Sequence, residues 1–316
     1  MVDRILPADT LDTTAAAERP IGRARRRPRI RTQALAGYVF LLPALGLTLA
    51  FVIWPIAQSF RLSLFTWNGD GPQTFVGLQN FIRIAQDRSY AAAFGHNILF
   101  MVAYTVLEIV LGFALAALLN NRIKGVVFFR TLYFIPVVVP TAVAALLWSM
   151  LLAPTVDPFS AFFRAVGLPF LAHSWLGDSN TALYAVVVIT VWKNVGVAMI
   201  VYLAAMQDVP EELLEAASID GAGTVRKYVS IVLPLLRPIT AVLIALSIIY
   251  AMRTFDVVWA LTGTQPRAAL EMVSTLIVRV AFAFHQFGLA SALAVVLFAV
   301  IFILALLQTR LMEDRT

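Results

Sequence analysis

Ionisable side chains that stand inside long apolar runs are the first places to look for chemistry in this chain. Glu108, Lys193, Arg253 and Asp256 are such residues. Hydrocarbon tolerates charge poorly, so a buried ionisable group marks either a solute path or a structural pair. Lys193 lies about 17 Å along its apolar run, and Glu108 lies about 15 Å along another, at 1.5 Å per helical residue. An ion pair between them is one expectation, and contact with a solute is the other. Thr190 and Asn194 lie four apart on the helical face next to Lys193. Ser247, Tyr250 and Thr254 form an i, i+3, i+7 stripe in the run that also holds Arg253 and Asp256. The last two read as an intrahelical salt bridge or as side chains snorkelling to the interface, although Lys and Arg can also bind a phosphate. A proline-bearing run, "YFIPVVVPTAVAALLW", adds Thr141 and Trp148. The substrate-path candidates are therefore Thr141, Thr190, Lys193, Asn194, Ser247 and Tyr250, and small hydroxyls among them also suit helix packing.

Covalent chemistry is not written here. His96, His173 and His285 are scattered and form no H-E-x-x-H, and no Gly-x-Ser-x-Gly elbow occurs. Catalytic residues and metal ligands are expected to be none. Cysteine is absent, which excludes disulfides and thiolate sites. The chain has no Gly-Lys dipeptide and hence no phosphate-binding P-loop.

The elements that must position the candidates are membrane helices. The chain is 60% hydrophobic and 13% charged, with mean hydropathy +0.85, well outside soluble composition. Six runs reach the roughly 20 residues that a helical crossing needs. They are 34–60, 98–119, 131–152, 182–206, 238–261 and 288–307. No series of short alternating segments suggests a β-barrel. The fold class is an all-α integral membrane protein with six transmembrane helices in one domain, 34–310. Residues 1–33 form a basic tail and 311–316 a short C-terminal tail.

Of the 24 Lys and Arg, 16 flank one side of this layout and 6 the other. The positive-inside rule places both termini and the 208–234 loop in the cytoplasm of a multi-pass cell-membrane protein. The net charge of +6 follows from that bias and gives no sign of nucleic-acid binding. The arginines at 23–31 suit either an anionic-lipid contact or a tail that fixes topology. A cleaved signal peptide fits poorly, because the apolar run that follows is too long. Residues 75–95 and 159–171 read as amphipathic helices at the outer interface. Residues 272–287 read as a re-entrant or interfacial helix, or as an extension of the last span.

One polar stretch, "EAASIDGAGTVRKYVSIVLP", interrupts the apolar sequence. Pro210 suits a first helical position, with Glu211 and Glu212 at the positive end of the dipole. Gly221 is placed to end that helix with a left-handed residue. Thr224 caps a second helix that Pro234 stops. Two short helices joined by a tight turn suit a docking element or a well-capped connector.

Glu215-Ala216-Ala217, Asp220-Gly221-Ala222, Ile231 and Leu233-Pro234 resemble the EAA loop of binding-protein-dependent ABC importer permeases. "FVGLQNF", "FFRTLYFIP", "WLGDSNTAL", "FDVVWALTG" and "FGLASAL", in that order, resemble the sugar and glycerol-3-phosphate branch, the maltose-type permeases. The resemblance covers roughly residues 35–310. It implies a coupling helix seated in a groove of an ATPase subunit, with Glu215 as its charged contact and Gly221 shaping the turn. Gly223 stands where the family more often has Ser or Thr. It implies a second permease subunit, two ABC ATPase subunits that bind ATP and Mg, an extracytoplasmic solute-binding protein, and no cofactor in this chain. Thr190, Asn194, Ser247 and Tyr250 fall near the family's solute-contact positions. The expected function is import of a carbohydrate, with glycerol-3-phosphate or a polyol as an alternative solute and a secondary transporter as a rival class. A secondary transporter usually shows inverted repeats that six spans leave little room for.

The charge split generates one prediction. A reporter fused after Thr316 is expected to be active only in its cytoplasmic form, and one inserted at residue 70 only in its external form. The reverse pattern would overturn the orientation.

Overall fold

The computed structural model describes residues 30–120, 124–152, 158–262 and 267–313, so the expected basic tail up to residue 29 and the C-terminal residues 314–316 lie outside the described residues. The chain divides into two units, residues 1–55 and 56–316. In the first, helix α1 (Ile30–Thr48) widens into a π turn at Leu49–Ile53, and the α2 that follows (Trp54–Leu62) lies mostly in the second. Pro55 explains the widening. It has no N–H for the Phe51 carbonyl, and the turn before it closes instead with the Trp54 N–H donating to the Leu49 carbonyl.

After α2 the second unit shows the one departure from an all-α chain among the described residues. A two-residue antiparallel ladder, β1 (Phe65–Thr66) and β2 (Thr74–Phe75), closes the first loop. The short α3 (Gln79–Gln86) follows, within the 75–95 stretch whose sequence suits amphipathic helices. Asp87 then starts α4 (Arg88–Leu119), its carboxylate accepting from the Ser89 N–H at 2.8 Å and from the Ser89 hydroxyl at 2.6 Å. Those bonds hold the exposed Asp87 carboxyl below the ordinary carboxylate range. With this cap the helix begins at Arg88, ahead of residue 98, where the apolar run begins.

The expected single span at 131–152 is instead two half-helices, α5 (Val126–Val138) and α6 (Thr141–Leu151), bent by 98°. Val139 and Pro140 between them are extended, at ψ 129° and 135°. The residue before a proline is driven out of the helical region, and Val139 obeys. A short α7 (Pro158–Ala165) precedes α8 (Ala182–Met206), whose bounds match the apolar run. About two-thirds of the α8 window (67%) is buried, more than in any other described span, so α8 is the central post of this unit.

After α8 come α9 (Glu211–Ile219), α10 (Thr224–Lys227), a π turn at Tyr228–Val232 and α11 (Leu233–Leu235). Pro234 was expected to stop this run and does not. The π turn ahead of it closes with the Leu233 N–H on the Tyr228 carbonyl, the arrangement seen before Pro55, and the break comes at Leu236. The fifth span is α12 (Arg237–Met252) and α13 (Asp256–Thr262), interrupted at Arg253–Phe255. Residues 273–283 form a helix of their own, α14 (Val273–Val278) with a π turn to Ala283, separate from the last span. Met272, Val273 and Val280 in it are buried. His285, at φ 53°, turns the chain into α15 (Phe287–Glu313). Among the described residues five helices are long and apolar enough to cross a membrane, six if the bent pair is one crossing.

Close helix approach rests on small residues, as in membrane bundles generally. A Cβ on Gly196 would stand 2.4 Å from the Tyr133 carbonyl oxygen, and one on Gly112 would stand 2.6 Å from Ala198 Cβ. Gly196 thus sets how near α8 lies to the backbone of α5. Gly196→Val is expected to destabilise the folded chain by about 1–3 kcal/mol, the usual range for overpacking. Gly95→Ala, with open space around it, is expected to be neutral or slightly stabilising. Thermal unfolding in detergent of the two variants checks the pair.

Candidate functional site

Polar side chains from α4, α8 and α12 meet inside the bundle. The Ser247 hydroxyl lies 2.6 Å from Glu108 Oε2 and also bonds its own helix at the Leu243 carbonyl, 2.8 Å away. The Tyr104 hydroxyl lies near both Glu108 and Asn194, and the Tyr250 hydroxyl lies near Asn194, without a well-formed hydrogen bond to its amide. The two tyrosine rings pack with centroids 5.5 Å apart. Tyr104, Glu108 and Ser247 are buried, whereas Tyr250 is 39% exposed. Asn194 Nδ2 is buried and has no hydrogen-bond partner. A donor in that state costs free energy until an acceptor reaches it. The cluster therefore presents a ring of neutral donors and acceptors around one carboxyl, with a vacant amide N–H among them.

Above it the helix break in α12–α13 opens a recess of about 260 Å³ lined by Tyr250, Arg253, Thr254, Phe255, Asp256 and Val257. Arg253 and Asp256 are exposed and form no ion pair with each other. The break takes Arg253 out of the helix, at φ −96° and ψ 2°, which ends the intrahelical pairing read from their spacing.

The six path candidates separate on this geometry. Asn194, Ser247 and Tyr250 belong to the cluster. Thr190 is fully buried, and its hydroxyl donates to the Val186 carbonyl one turn back at 2.7 Å. Lys193 does not meet Glu108; its Nζ donates to the Val137 carbonyl at 3.3 Å, and Glu108 is taken up by Ser247. Thr141 stands half-buried at the first position of α6, beyond the bend. Trp148 stacks on Phe159 and meets Trp192 edge to face, an aromatic packing role. The sequence reading missed Tyr104, although its i, i+4 relation to Glu108 put both on one face of α4.

A second constellation lies in the 208–234 loop. Pro210, at ψ 126°, is the residue before α9 and not its first member, so Glu211 opens the helix. Its end is a Schellman motif: the Ala222 N–H donates to the Ala217 carbonyl at 2.9 Å, and the Gly221 N–H to the Ser218 carbonyl at 3.1 Å. Gly221 takes φ 77° to allow this. Gly223 precedes the second helix with no side-chain cap, so Thr224 is its first residue and not its cap. Lys227 Nζ on the Ser218 hydroxyl ties the two helices together. Ala217 is buried, while Glu215, Ala216 and Asp220 are exposed and Ala222 is half-buried. Ile219 and Val225, 87% and 77% exposed, give the same face an apolar patch. Bare aliphatic surface beside a carboxylate suits contact with another protein.

Residues 108–316 match the family described as binding-protein-dependent transport system inner membrane component. A probable ABC transporter permease protein, YurN, of Bacillus subtilis (strain 168) is 35% identical over 276 residues, 86% of this chain and 94% of that one. The sn-glycerol-3-phosphate transport system permease protein UgpA of Yersinia pestis bv. Antiqua (strain Antiqua) is 34% identical over 88% of this chain and 94% of its own. The trehalose/maltose transport system permease protein MalF of Thermococcus litoralis is 33% identical, covering 85% and 90% respectively. Among solved structures, a bacterial ABC transporter involved in the import of the acidic polysaccharide alginate superposes with a TM-score of 0.78 at 20% identity, covering 90% of this chain and 97% of that one. At that identity the likeness speaks for the fold.

Proposed function

The chain belongs to the binding-protein-dependent transport system inner membrane component family, and on that premise we propose that it is the permease subunit through which an ATP-driven importer moves a carbohydrate. The unpartnered Asn194 amide, facing Tyr104 and Tyr250 within the bundle, carries the solute assignment. Sugar hydroxyls both donate and accept, so one hydroxyl can take the Asn194 N–H while neighbours engage Tyr250 and Ser247. Aromatic faces of the kind Tyr250 offers suit the apolar C–H face of a pyranose. Glycerol-3-phosphate, named for one relative, fits less well. The ionisable member of the cluster is a carboxyl, and Lys193 points its Nζ to the Val137 carbonyl.

The remaining parts follow from the family and the loop. ATP and Mg sit on two partner ATPase subunits, and this chain holds no cofactor. Glu215, Ala216, Ala217, Asp220, Gly221 and Ala222 form the coupling element docked on one of them from the cytoplasm. A second permease completes the pathway, and an extracytoplasmic solute-binding protein delivers the sugar at the opposite end. The α5–α6 pair counts as the third of six crossings. Closing of the ATPases pushes α9, and α8 carries that displacement to the cluster, so the two permeases alternate between inward and outward states by rigid-body motion.

Asn194→Ala and Tyr250→Ala are expected to cut uptake of the sugar carried by the cognate binding protein at least tenfold while leaving complex assembly and basal ATPase intact. Normal transport kinetics in both would remove them from the path. Glu215→Lys is expected to weaken ATPase docking, since breaking a buried interfacial charge pair costs about 2–5 kcal/mol. A reciprocal charge swap in the ATPase groove should restore part of it. Gly221→Val should impair coupling without being rescued by the swap, because its fault lies in the left-handed turn. Full ATPase activity and full uptake with Glu215→Lys would reduce the loop to a connector.

A further inference from the structure

Lys193 is buried in the interior without a carboxylate, and its partner is a main-chain carbonyl at the end of a broken helix. α5 stops at Val138 because Pro140 cannot continue it, and α6 leaves at 98°. The last four carbonyls of any helix lack intrahelical donors. In water they would be solvated; inside a bundle another group must serve them. The Val139 N–H takes the Pro136 carbonyl, and Lys193 Nζ takes Val137 at 3.3 Å. A cation also complements the negative end of the helix dipole.

Register makes this contact more than incidental. Gly196 stands three residues after Lys193 on the same face of α8, and it rests against the Tyr133 carbonyl and Phe134 Cα. Lys193 and Gly196 thus hold the last two turns of α5 at two points, one by charge and one by close approach. Beyond Val139 the connection to α6 is extended backbone with no helical bond across it.

We propose that Lys193 is a positioning residue: it caps the broken end of α5 and locks α5 to α8 as one body, leaving Val139–Pro140 as the flexing point about which α6 moves. α8 runs straight to the α9 loop, so a displacement of that loop moves α5 and α8 together and changes the α5–α6 angle. The cap stands on geometry alone; only the use of the motion rests on the importer reading.

The chain has no cysteine, which allows paired spin labels on the purified transporter complex in lipid nanodiscs. One pair, at the exposed Phe128 and Leu147, spans the bend. The other, at Phe128 and Val197, spans the clamp. In the parent chain Mg-ATP is expected to shift the 128–147 distance and leave 128–197 fixed and narrow. Lys193→Met should broaden the 128–197 distribution at least twofold and blunt the response to Mg-ATP. Lys193→Arg should restore most of both, because it keeps a cation and its donors at the carbonyl. In a Pro140→Ala background, where α5 and α6 can join, Lys193→Met should add little. The proposal falls if Lys193→Met lowers only the yield of assembled complex and leaves both distributions as they were. It also falls if transport KM rises while the distances stay unchanged, which would make Lys193 a solute contact. Failure of every carbohydrate to be transported would count against the importer reading and leave the ATP-free distances to judge the clamp.

Discussion

A backbone carbonyl or N–H inside an apolar bundle must find a partner within the protein, and this chain interrupts its helices many times. Each interruption frees main-chain groups that no water can serve. The described interruptions show three solutions. Pro55 and Pro234 are passed by widening the preceding turn, so the helix continues. The break before Pro140 is served by Lys193. Buried amides serve others: Asn97 donates to the Met252 carbonyl at 3.3 Å and accepts from the Val273 N–H at 2.8 Å, joining the end of α12 to the start of α14. Asn80 does the same for Ser63 and Phe65, donating to both carbonyls near the first loop. The buried polar residues are in large part the price of helix ends, and only the remainder are free for solute.

That division limits what a sequence shows. The bounds of α8, the left-handed Gly221 and the apolar runs were legible because each rests on local rules: hydropathy, glycine's tolerance of positive φ, and the length of a crossing. The 98° bend was not legible, although both prolines of that run were in view. Pro136 sits inside α5 and Pro140 ends it. The difference lies in Val139, which turns extended before Pro140 and leaves the Val137 carbonyl to Lys193, 56 residues further along the chain. Depth in the membrane flagged Lys193 and Glu108 together, and depth cannot tell a carbonyl partner from a carboxylate. Thr190 meets a related limit. Its hydroxyl is satisfied by its own helix, a state that the i, i+4 spacing to Asn194 does not reveal.

The loop and the cluster are connected by one continuous element. α8 carries Asn194 in its middle and ends at Met206, five residues before α9 begins at Glu211. The Schellman turn and the Lys227–Ser218 contact stiffen α9 and α10 into a unit, and the Asn120 amide donates to the Tyr228 hydroxyl at 3.4 Å, touching the end of α4. A push on the exposed face of α9 therefore reaches two of the three helices that build the cluster. Tyr202, fully buried on α8, donates to Thr240 of α12 at 3.0 Å and links the third.

Electrostatics then constrain what such a motion can deliver. Glu108 lies among hydroxyls and an amide, each a dipole that can rotate, and Lys193 of the neighbouring α8 donates to a main-chain carbonyl and not to it. A solute with fixed negative charge finds no opposite charge within the cluster, whose members are hydroxyls, an amide and a buried carboxyl, and a fixed charge is costly to hold in a low-dielectric interior without one. A neutral polyhydroxyl solute meets the same groups with donors for Glu108 and acceptors for Asn194, and needs no counter-ion. On the carbohydrate reading, the cluster binds through many interchangeable hydrogen bonds of modest individual strength. Such binding suits a carrier, because a small rotation of α8 against α12 that separates Asn194 from Tyr250 is enough to release the sugar.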